Sequence, residues 1–163
     1  MIVALAGGVG GAKLADGLAR TLPPDALTVV VNTGDDLGVL ICPSNPYLSV
    51  APILAIRGMR EQLRRAPSIV AASPIVCGRA LKGPAAKIMG ELGLEPSPLE
   101  IARYYAGLID VLVIDHADAG FANDIQALGI RAVATDILMR STADRVRLAR
   151  SCLDLFGGAP SAQ

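Results

Sequence analysis

A glycine-rich run between an apolar segment and the start of a helix is the first feature of this sequence that could bind an anion. Residues 7–11 read Gly-Gly-Val-Gly-Gly, and Lys13 follows two positions later. Uncovered backbone N–H groups, together with the positive end of a helix dipole, suit a phosphate group. The run matches neither the Walker A pattern nor GxGxxG, in which Lys13 occupies the last glycine position. A tight turn from strand to helix is the alternative interpretation.

Two adjacent carboxylates follow the next apolar run. Residues 32–36 read Asn-Thr-Gly-Asp-Asp, so Asp35 and Asp36 come directly after a glycine near the end of a predicted strand. Oxygen ligands of this kind suit Mg²⁺, with phosphate oxygens completing the coordination shell. The carboxyl ends of strands are also where open α/β sheets bind ligands. An Asx-rich turn without any ligand is the alternative.

A proline-bounded loop presents two further polar groups after a predicted strand. Pro43 and Pro46 enclose Ser44 and Asn45. A loop made rigid by prolines can present a hydroxyl and a carboxamide to a nucleobase or a ribose. Capping of a helix N-terminus by Ser44 or Asn45 is the alternative.

A long irregular connection at residues 73–84 contains two cations, Arg79 and Lys82. Loops of this length in a compact domain are often functional. The two side chains could clamp an anionic group. Two solvated cations on a surface loop are the alternative.

The elements that must position these loops alternate in the manner of βα units. Short β-branched runs predict strands at residues 2–6, 27–31, 38–41, 68–72, 111–115 and 130–135. Helical periodicity predicts helices at residues 12–22, 58–66, 85–92, 99–106, 122–128 and 143–156. We therefore predict an α/β fold, a single three-layer Rossmann-like domain over residues 1–163. It should contain a mostly parallel sheet, helices on both faces and a small helical insertion at residues 85–106.

The connection between the second and third predicted strands is short for a crossover. Only residues 32–37 separate the two strands, whereas parallel neighbours need a connection of roughly a dozen residues or more. The strands should therefore be antiparallel, far apart in the sheet, or joined where an intervening segment has been lost.

Composition excludes several classes of function. The chain has 15 Lys and Arg against 15 Asp and Glu, and only three Tyr and two Phe, so we expect no nucleic-acid partner. No apolar run approaches the roughly 20 residues that span a bilayer, and no basic leader precedes the first strand. We therefore expect a cytoplasmic protein without a membrane partner.

Cysteine, histidine and arginine side chains are expected to have structural roles. Three cysteines without CxxC or Cys/His spacing argue against disulfides and a zinc site, and Cys42 and Cys152 should be core residues. The single histidine, His116, should be an edge or surface residue rather than a catalytic base. A solvated helix face is predicted for Arg145, Arg147 and Arg150.

The four loop motifs, taken in order, resemble those of the 2-phospho-L-lactate transferase family of deazaflavin coenzyme (factor 420) biosynthesis, which includes phosphoenolpyruvate transferases. The resemblance rests on AGGVGGAKL at residues 6–14, NTGDD at residues 32–36, CPSNPYLSVAPIL at residues 42–54 and SPIVCGRALKGP at residues 73–84. It extends over nearly the whole chain. Four motifs in the family's order are far more specific than any one of them.

The resemblance implies a transferase that uses Mg²⁺ as its cofactor. Such an enzyme moves a phospholactyl or phosphoenolpyruvyl group from a guanosine diphosphate adduct to the ribityl hydroxyl of the deazaflavin Fo, and GMP leaves. Asp35 and Asp36 become the catalytic pair at the metal. The predicted contacts to the nucleotide and its phosphates are Gly8, Gly10, Gly11, Lys13, Asn32, Ser44, Asn45, Pro46, Arg79 and Lys82.

Family members are considerably longer than this chain. Between the NTGDD and CPSNP motifs they carry a large segment that helps to hold the deazaflavin, whereas residues 37–40 bridge that gap here. The resemblance thus implies a missing insertion between residues 36 and 40, at the same short junction. If these 163 residues are the whole polypeptide, the chain should bind nucleotide with little or no turnover.

Two other hypotheses compete with the transferase. One is a nucleotide-binding module without turnover, related to sugar-nucleotide-binding regulators. The other is a dinucleotide oxidoreductase, which is disfavoured because Val31 and Asn32, rather than an acidic residue, end the second strand. Residues 48–56 and 143–156 could each face a second copy in a homodimer, although burial in the core also explains both.

Overall fold

The fold is an α/β arrangement around one parallel sheet. The computed structural model describes residues 2–5, 8–22, 27–28 and 38–156. The strands are β1 (Ile2–Leu5), β2 (Leu27–Thr28), β3 (Gly38–Ile41), β4 (Ile69–Ala72), β5 (Ile75–Val76), β6 (Arg79–Ala80), β7 (Val111–Asp115) and β8 (Arg131–Thr135). Six of them form a sheet in the order β2-β1-β3-β4-β7-β8, in which all neighbours are parallel. Strands β5 and β6 form a small antiparallel hairpin.

Helices cover both faces of this sheet. They are α1 (Gly8–Ala19), α2 (Ala51–Leu54), α3 (Met59–Leu63), α4 (Ala85–Glu91), α5 (Pro98–Tyr105), α6 (Ala122–Ala127) and α7 (Thr142–Asp154). A π-helical turn (Pro46–Val50) precedes α2, and a 3-10 helix (His116–Phe121) follows β7. None of the described helices is long and apolar enough to cross a bilayer.

Both faces of the central strands are buried, which explains their continuous β-branched runs. On one face, Ile41, Ile69 and Leu112 pack against apolar residues of α2 to α6. On the other face, Leu40 and Val113 pack against α1 and α7. The predicted three-layer fold with helices on both faces is confirmed.

The short junction between β2 and β3 does not join neighbouring strands. Strand β1 lies between them, because Ile2 pairs with Leu27 on one side and with Gly38 on the other. Both pairings are parallel. Of the predicted arrangements, the antiparallel one is therefore wrong, and β2 and β3 are separated in the sheet by one strand.

The predicted boundaries of the later helices agree with the structure to within three residues at each end. The two helices between β6 and β7 are present as α4 and α5. Ile101, Ala102 and Tyr105 of α5 are buried among the residues of α2, α3 and α6, so this helix belongs to the layer that covers the sheet. The apolar face of α7 is likewise explained by the core, since Leu148 and Cys152 pack with α1.

Helices α1 and α7 approach each other closely at Gly17. A Cβ atom at this position would lie 2.3 Å from the backbone oxygen of Arg145. Beside this contact, Arg145 Nη1 donates a hydrogen bond to Asp16 Oδ2 at 2.8 Å. The guanidinium groups of Arg145 and Arg20 lower the pKa of the Asp16 carboxyl. The prediction that Arg145 lies on a solvated face is therefore wrong, because the residue joins two helices.

Replacement of Gly17 by alanine should destabilise the fold. We expect Gly17→Ala to lower the free energy of unfolding by about 1–3 kcal/mol, the usual cost of overpacking, because α1 and α7 have to separate. Urea-induced unfolding followed by circular dichroism measures this change.

Gly90→Ala in α4 is the matched control. A Cβ atom at Gly90 would have nothing within 4 Å. This substitution should therefore raise the free energy of unfolding by about 0.5–1 kcal/mol through helix propensity alone. Equal effects of the two substitutions would contradict the close packing at Gly17.

Candidate functional site

The carboxyl ends of all six parallel strands lie at one edge of the sheet, here called the carboxyl edge. Helix α1 starts there after β1, the π-helical turn follows β3, and the β5/β6 hairpin follows β4. The 3-10 helix follows β7, and residues 136–140, here called the β8 loop, follow β8. Ligands of open parallel sheets bind at this edge. A second cleft, of about 320 Å³, lies at the opposite edge, and no predicted site residue lines it.

Residues 8–11 of the predicted glycine loop form the first turn of α1, and residue 7 lies outside the described residues. The helix begins at Gly8 and therefore includes Gly10 and Gly11, four residues earlier than the predicted start at residue 12. Low helix propensity favoured a loop, but the fully buried Leu14 and Leu18 hold the helix against its neighbours. The first four N–H groups of an α-helix have no partner within the helix. Gly8, Gly10 and Gly11 thus place first-turn amides of α1 at the carboxyl edge.

Three cations from distant parts of the chain line one cleft at the carboxyl edge. This cationic cleft has a volume of about 220 Å³. Lys13 comes from α1, Lys82 from the segment after β6, and Arg140 from the end of the β8 loop. The remaining lining residues are apolar, namely Leu81, Leu138 and Met139. Because no carboxylate is among these lining residues of the described chain, the cleft suits an anion with more than one charge.

Lys13 lines the cleft and also binds the β8 loop. Its Nζ donates a hydrogen bond to the backbone oxygen of Met139 at 3.0 Å. The two residues are 126 positions apart in sequence. Helix α1 and the β8 loop are therefore held together at the cleft.

The two cations predicted to act as a clamp have different surroundings. Lys82 lines the cationic cleft, whereas Arg79 is exposed on β6 and does not line it. The turn between β5 and β6 consists of Cys77 and Gly78, with φ values of 46° and 72°. The buried carboxylate of Asp118 accepts the backbone N–H of Cys77 at 3.0 Å and so fixes this hairpin against the 3-10 helix.

Asn45 caps the π-helical turn after β3. Its Oδ1 accepts the backbone N–H groups of Tyr47 and Leu48 at 2.9 and 3.1 Å. The capping alternative therefore holds for Asn45. Its Nδ2 is buried and has no hydrogen-bond partner among the described residues. The neighbouring Ser44 and Pro46 are both buried.

The predicted metal site lies outside the described residues, as do Asn32, Asp35 and Asp36. Elsewhere at the carboxyl edge, described carboxylates bind backbone N–H groups, and Asp115 accepts those of Ala117 and Ile137 at 3.0 and 3.2 Å. No group of three or more His, Cys, Asp or Glu residues within the described ranges could hold a metal ion.

A charged network fixes the start of α7. Ser141 and Asp144 form a capping box, and Asp144 Oδ2 also accepts the backbone N–H of Arg140 at 3.0 Å. Arg147 contacts Asp144 Oδ1 at 3.1 Å. These hydrogen bonds lower the pKa of the Asp144 carboxyl to about 2. The bond from the backbone N–H of Ser141 has the largest effect, and the bond from the Arg147 side chain has the next largest. The predicted solvated position of Arg147 is wrong, whereas Arg150 is exposed.

Sequence reasoning missed Arg140, Arg147 and Asp118. The spacing Ser-x-x-Asp at residues 141–144 was a signal for a helix start, and Arg140 directly precedes it after a predicted strand. No local pattern indicates that Asp118 binds the hairpin 41 residues before it. His116 is exposed, as expected of a surface residue.

The three cysteines differ in exposure. Cys42 and Cys152 are buried in the core, as predicted, and Cys77 is exposed. Burial strongly raises the pKa of the Cys42 thiol and raises that of Cys152 to about 12. Both buried thiols therefore stay protonated and unreactive at neutral pH.

Comparison with known proteins identifies similar sequences. A family model described as "2-phospho-L-lactate transferase CofD" matches residues 38–151. Proteins named 2-phospho-L-lactate transferase from Methanosarcina acetivorans and Methanosarcina barkeri are 42% and 38% identical to this chain over 121 and 136 residues. A Streptomyces griseus protein named phosphoenolpyruvate transferase is 35% identical over 119 residues.

These matches cover much more of this chain than of its relatives. They include 74%, 83% and 72% of this chain, in the order given above. They include only 39%, 43% and 37% of the three relatives. The chain therefore spans about 40% of the length of the curated relatives that it matches.

The difference in burial between Cys77 and the other two cysteines predicts that their thiols react at different rates. In the native chain, only Cys77 should react rapidly with a disulfide reagent such as Ellman's reagent, because the other two thiols are inaccessible and protonated. All three should react in urea. Spectroscopic titration measures the number of reactive thiols, and a Cys77→Ser variant should lose the fast phase. A fast phase from two thiols in the native wild type would contradict the described core.

The lowered pKa of Asp144 predicts a pH-dependent contribution to stability. A carboxyl whose pKa is lower in the folded state than its ordinary 3.8 stabilises the fold above that ordinary value. The contribution is lost as the pH falls through about 2. The difference in unfolding free energy between wild type and Asp144→Asn should thus be constant at neutral pH and shrink under acid. Urea unfolding at fixed pH values measures it, and a pH-independent difference would contradict the ionic network.

Proposed function

Because the chain belongs to the 2-phospho-L-lactate transferase CofD family, we propose that it forms the nucleotide-binding part of a transferase of deazaflavin coenzyme synthesis. The donor is a guanosine diphosphate ester, in which the phosphate of phospholactate or phosphoenolpyruvate is joined to the phosphate of GMP. The acceptor is the ribityl hydroxyl of the deazaflavin Fo, and GMP is released. The proposal concerns the nucleotide side of the reaction first, since the chain spans about 40% of its relatives' length.

The cationic cleft is the observation that carries this proposal. Lys13, Lys82 and Arg140 provide three positive charges around a space of about 220 Å³. A diphosphate needs such a site, because its charge is stabilised best by several fixed donors in a partly dehydrated cleft. The amides of the first turn of α1 belong to the same edge of the sheet and also favour an anion.

Asn45 supports a contact to the nucleoside. A buried amide donor without an acceptor costs free energy, and Asn45 Nδ2 has no acceptor in the described part of the chain. An oxygen or ring nitrogen of guanine, or a ribose hydroxyl, would satisfy it. The side chain cannot easily rotate away, because Oδ1 is engaged in capping the π-helical turn.

Asp35 and Asp36 are the proposed ligands of Mg²⁺. Their donor chemistry fits, since adjacent carboxylates bind this ion together with phosphate oxygens. The described carboxylates Asp115 and Asp118 are already committed to backbone N–H groups. The ion would supply further neutralisation of the diphosphate when bound.

The proposed transfer needs positioned charges rather than a covalent nucleophile on the protein. The acceptor hydroxyl oxygen forms a bond to the phosphorus of the phospholactyl or phosphoenolpyruvyl group. The bond from that phosphorus to the oxygen of the GMP phosphate breaks, and the hydroxyl proton passes to solvent. Lys13, Lys82 and Arg140 would bind and orient the phosphates, and phosphoryl transfer depends mainly on such positioning.

Binding of guanosine diphosphate tests the nucleotide site. Titration calorimetry with GDP and Mg²⁺ should detect binding to the wild-type chain. Lys82→Met and Arg140→Met should each weaken that binding about tenfold or more, because hydrogen bonds to charged groups contribute about 1.5–3 kcal/mol. Neither side chain makes a described hydrogen bond to the protein, so the fold should be unaffected.

Lys87→Met is the control for loss of a positive charge. Lys87 is exposed on α4, and its one ion pair within the described residues is with Glu91, at 3.7 Å. Its replacement should leave the affinity for GDP unchanged. Tight binding of NAD with no binding of GDP would overturn the proposal in favour of a dinucleotide enzyme.

Release of GMP tests the transfer itself. Chromatography of a mixture of the chain, the guanosine diphosphate adduct, Fo and Mg²⁺ should show equal amounts of GMP and of a deazaflavin that carries the phospholactyl or phosphoenolpyruvyl group. These 163 residues alone should give little turnover, because the segment that helps to hold the deazaflavin is missing. Binding of GDP without GMP release would support a nucleotide-binding module and contradict the transferase activity of this chain.

A further inference from the structure

We propose that Arg147 is a positioning residue, which holds the β8 loop in the conformation that places Arg140 in the cationic cleft. The inference rests on the proposed function, because it assumes that the cleft binds a phosphorylated ligand. Arg147 itself does not line the cleft. It would act on the ligand only through the loop.

The β8 loop has little support from its own backbone. Within the described chain, no backbone-to-backbone hydrogen bond holds residues 136–140. Side chains bind the loop instead. Asp115 Oδ2 accepts the N–H of Ile137 at 3.2 Å, and Asp136 Oδ1 accepts that of Leu138 at 3.0 Å. A loop held in this way changes its conformation when the side chains that bind it are removed.

Arg147 supplies the largest number of these contacts. Its Nη1 donates to the backbone oxygen of Asp136 at 2.6 Å, and its Nη2 donates to that of Leu138 at 3.2 Å. One rigid guanidinium thus fixes two carbonyl groups that are two residues apart. A lysine has no such planar pair of donors, so it cannot replace both bonds in the same geometry.

A second route leads from Arg147 to Arg140 through Asp144. Arg147 Nη2 contacts Asp144 Oδ1 at 3.1 Å, and Asp144 Oδ2 accepts the backbone N–H of Arg140 at 3.0 Å. Both ends of the β8 loop therefore depend on the same guanidinium. Between them, the backbone oxygen of Met139 accepts Lys13 Nζ, so a shift of the loop would also move a second cation of the cleft.

The charge on Arg147 is already compensated. Its Nη2 lies 3.1 Å from Asp136 Oδ2 as well as from Asp144 Oδ1. A guanidinium shared between two carboxylates is a poor additional ligand for an anion. Its position and its partners thus assign it to the support of the loop rather than to contact with the phosphates.

A double-mutant cycle on the binding of inorganic pyrophosphate tests the proposal. Calorimetry compares wild type, Arg147→Met, Arg140→Met and the double variant, all well below their unfolding temperatures. Arg147→Met should weaken binding about fivefold or more, and Arg140→Met should then cost much less in the Arg147→Met background than in wild type. Lys82→Met should keep its full effect in both backgrounds, because Lys82 is not on the β8 loop.

Conservative and neighbouring substitutions separate positioning from stability. Arg147→Lys keeps the charge but not the pair of donors, so it should behave like Arg147→Met. Arg150→Met, at an exposed arginine of the same helix, should bind pyrophosphate like wild type. Amide hydrogen exchange without ligand should be faster at Ile137, Leu138 and Arg140 in the Arg147 variants alone.

Each outcome decides between the alternatives. Unchanged pyrophosphate binding in Arg147→Met, or additive effects of the Arg147 and Arg140 substitutions, would overturn the positioning role while leaving the proposed nucleotide site intact. A lower unfolding temperature with normal affinity would make Arg147 a purely structural residue and would also overturn it. If the wild-type chain binds neither pyrophosphate nor GDP, the proposed function and this inference are both overturned.

Discussion

Burial of both faces of the central strands β3, β4 and β7 is the constraint on which the rest of this structure depends. The only polar residue within these three strands is Asp115, at a carboxyl end, so their polar chemistry is confined to the edges of the sheet. All carboxyl ends lie at one of these edges, and the described connections after β1, β3, β4, β7 and β8 start there. Residues that are more than a hundred positions apart, such as Lys13 and Arg140, therefore line the same cleft.

The connections at the carboxyl edge are held in place by carboxylates and arginines rather than by backbone ladders. Asp115 and Asp118 are buried and accept backbone N–H groups from other segments. Asp144 likewise accepts the backbone N–H groups of Arg140 and Ser141, whereas Arg147 donates to backbone oxygens of the β8 loop. Buried or half-buried charges of this kind contribute little net stability, because desolvation offsets much of their attraction. Their effect is to fix the conformation of loops that the sheet alone leaves undetermined.

Membership in the family and the geometry of the edge point to the same chemistry. The family model matches residues 38–151, which include Ser44, Asn45 and the β8 loop. The three cations and the first-turn amides of α1 suit the phosphates of a nucleotide. The proposed role of these groups is accordingly electrostatic. They would bind and orient the phosphates and neutralise their charge.

The amino-acid sequence by itself determined the α/β class, the six strands of the parallel sheet, most helix boundaries and the buried state of Cys42 and Cys152, because apolar periodicity is a local property. It did not predict the hairpin of β5 and β6, which lies within a connection expected to be irregular. It also determined the family, through four ordered motifs. The tertiary structure alone decided that α1 starts at Gly8, that β1 separates β2 from β3, and that Arg140 joins Lys13 and Lys82. The sequence predicted a solvated position for Arg147, because helical periodicity does not reveal a hydrogen-bond partner on a loop. Its role follows only from the packing of α7 on the sheet, which brings the guanidinium to carbonyl groups that no sequence pattern marks.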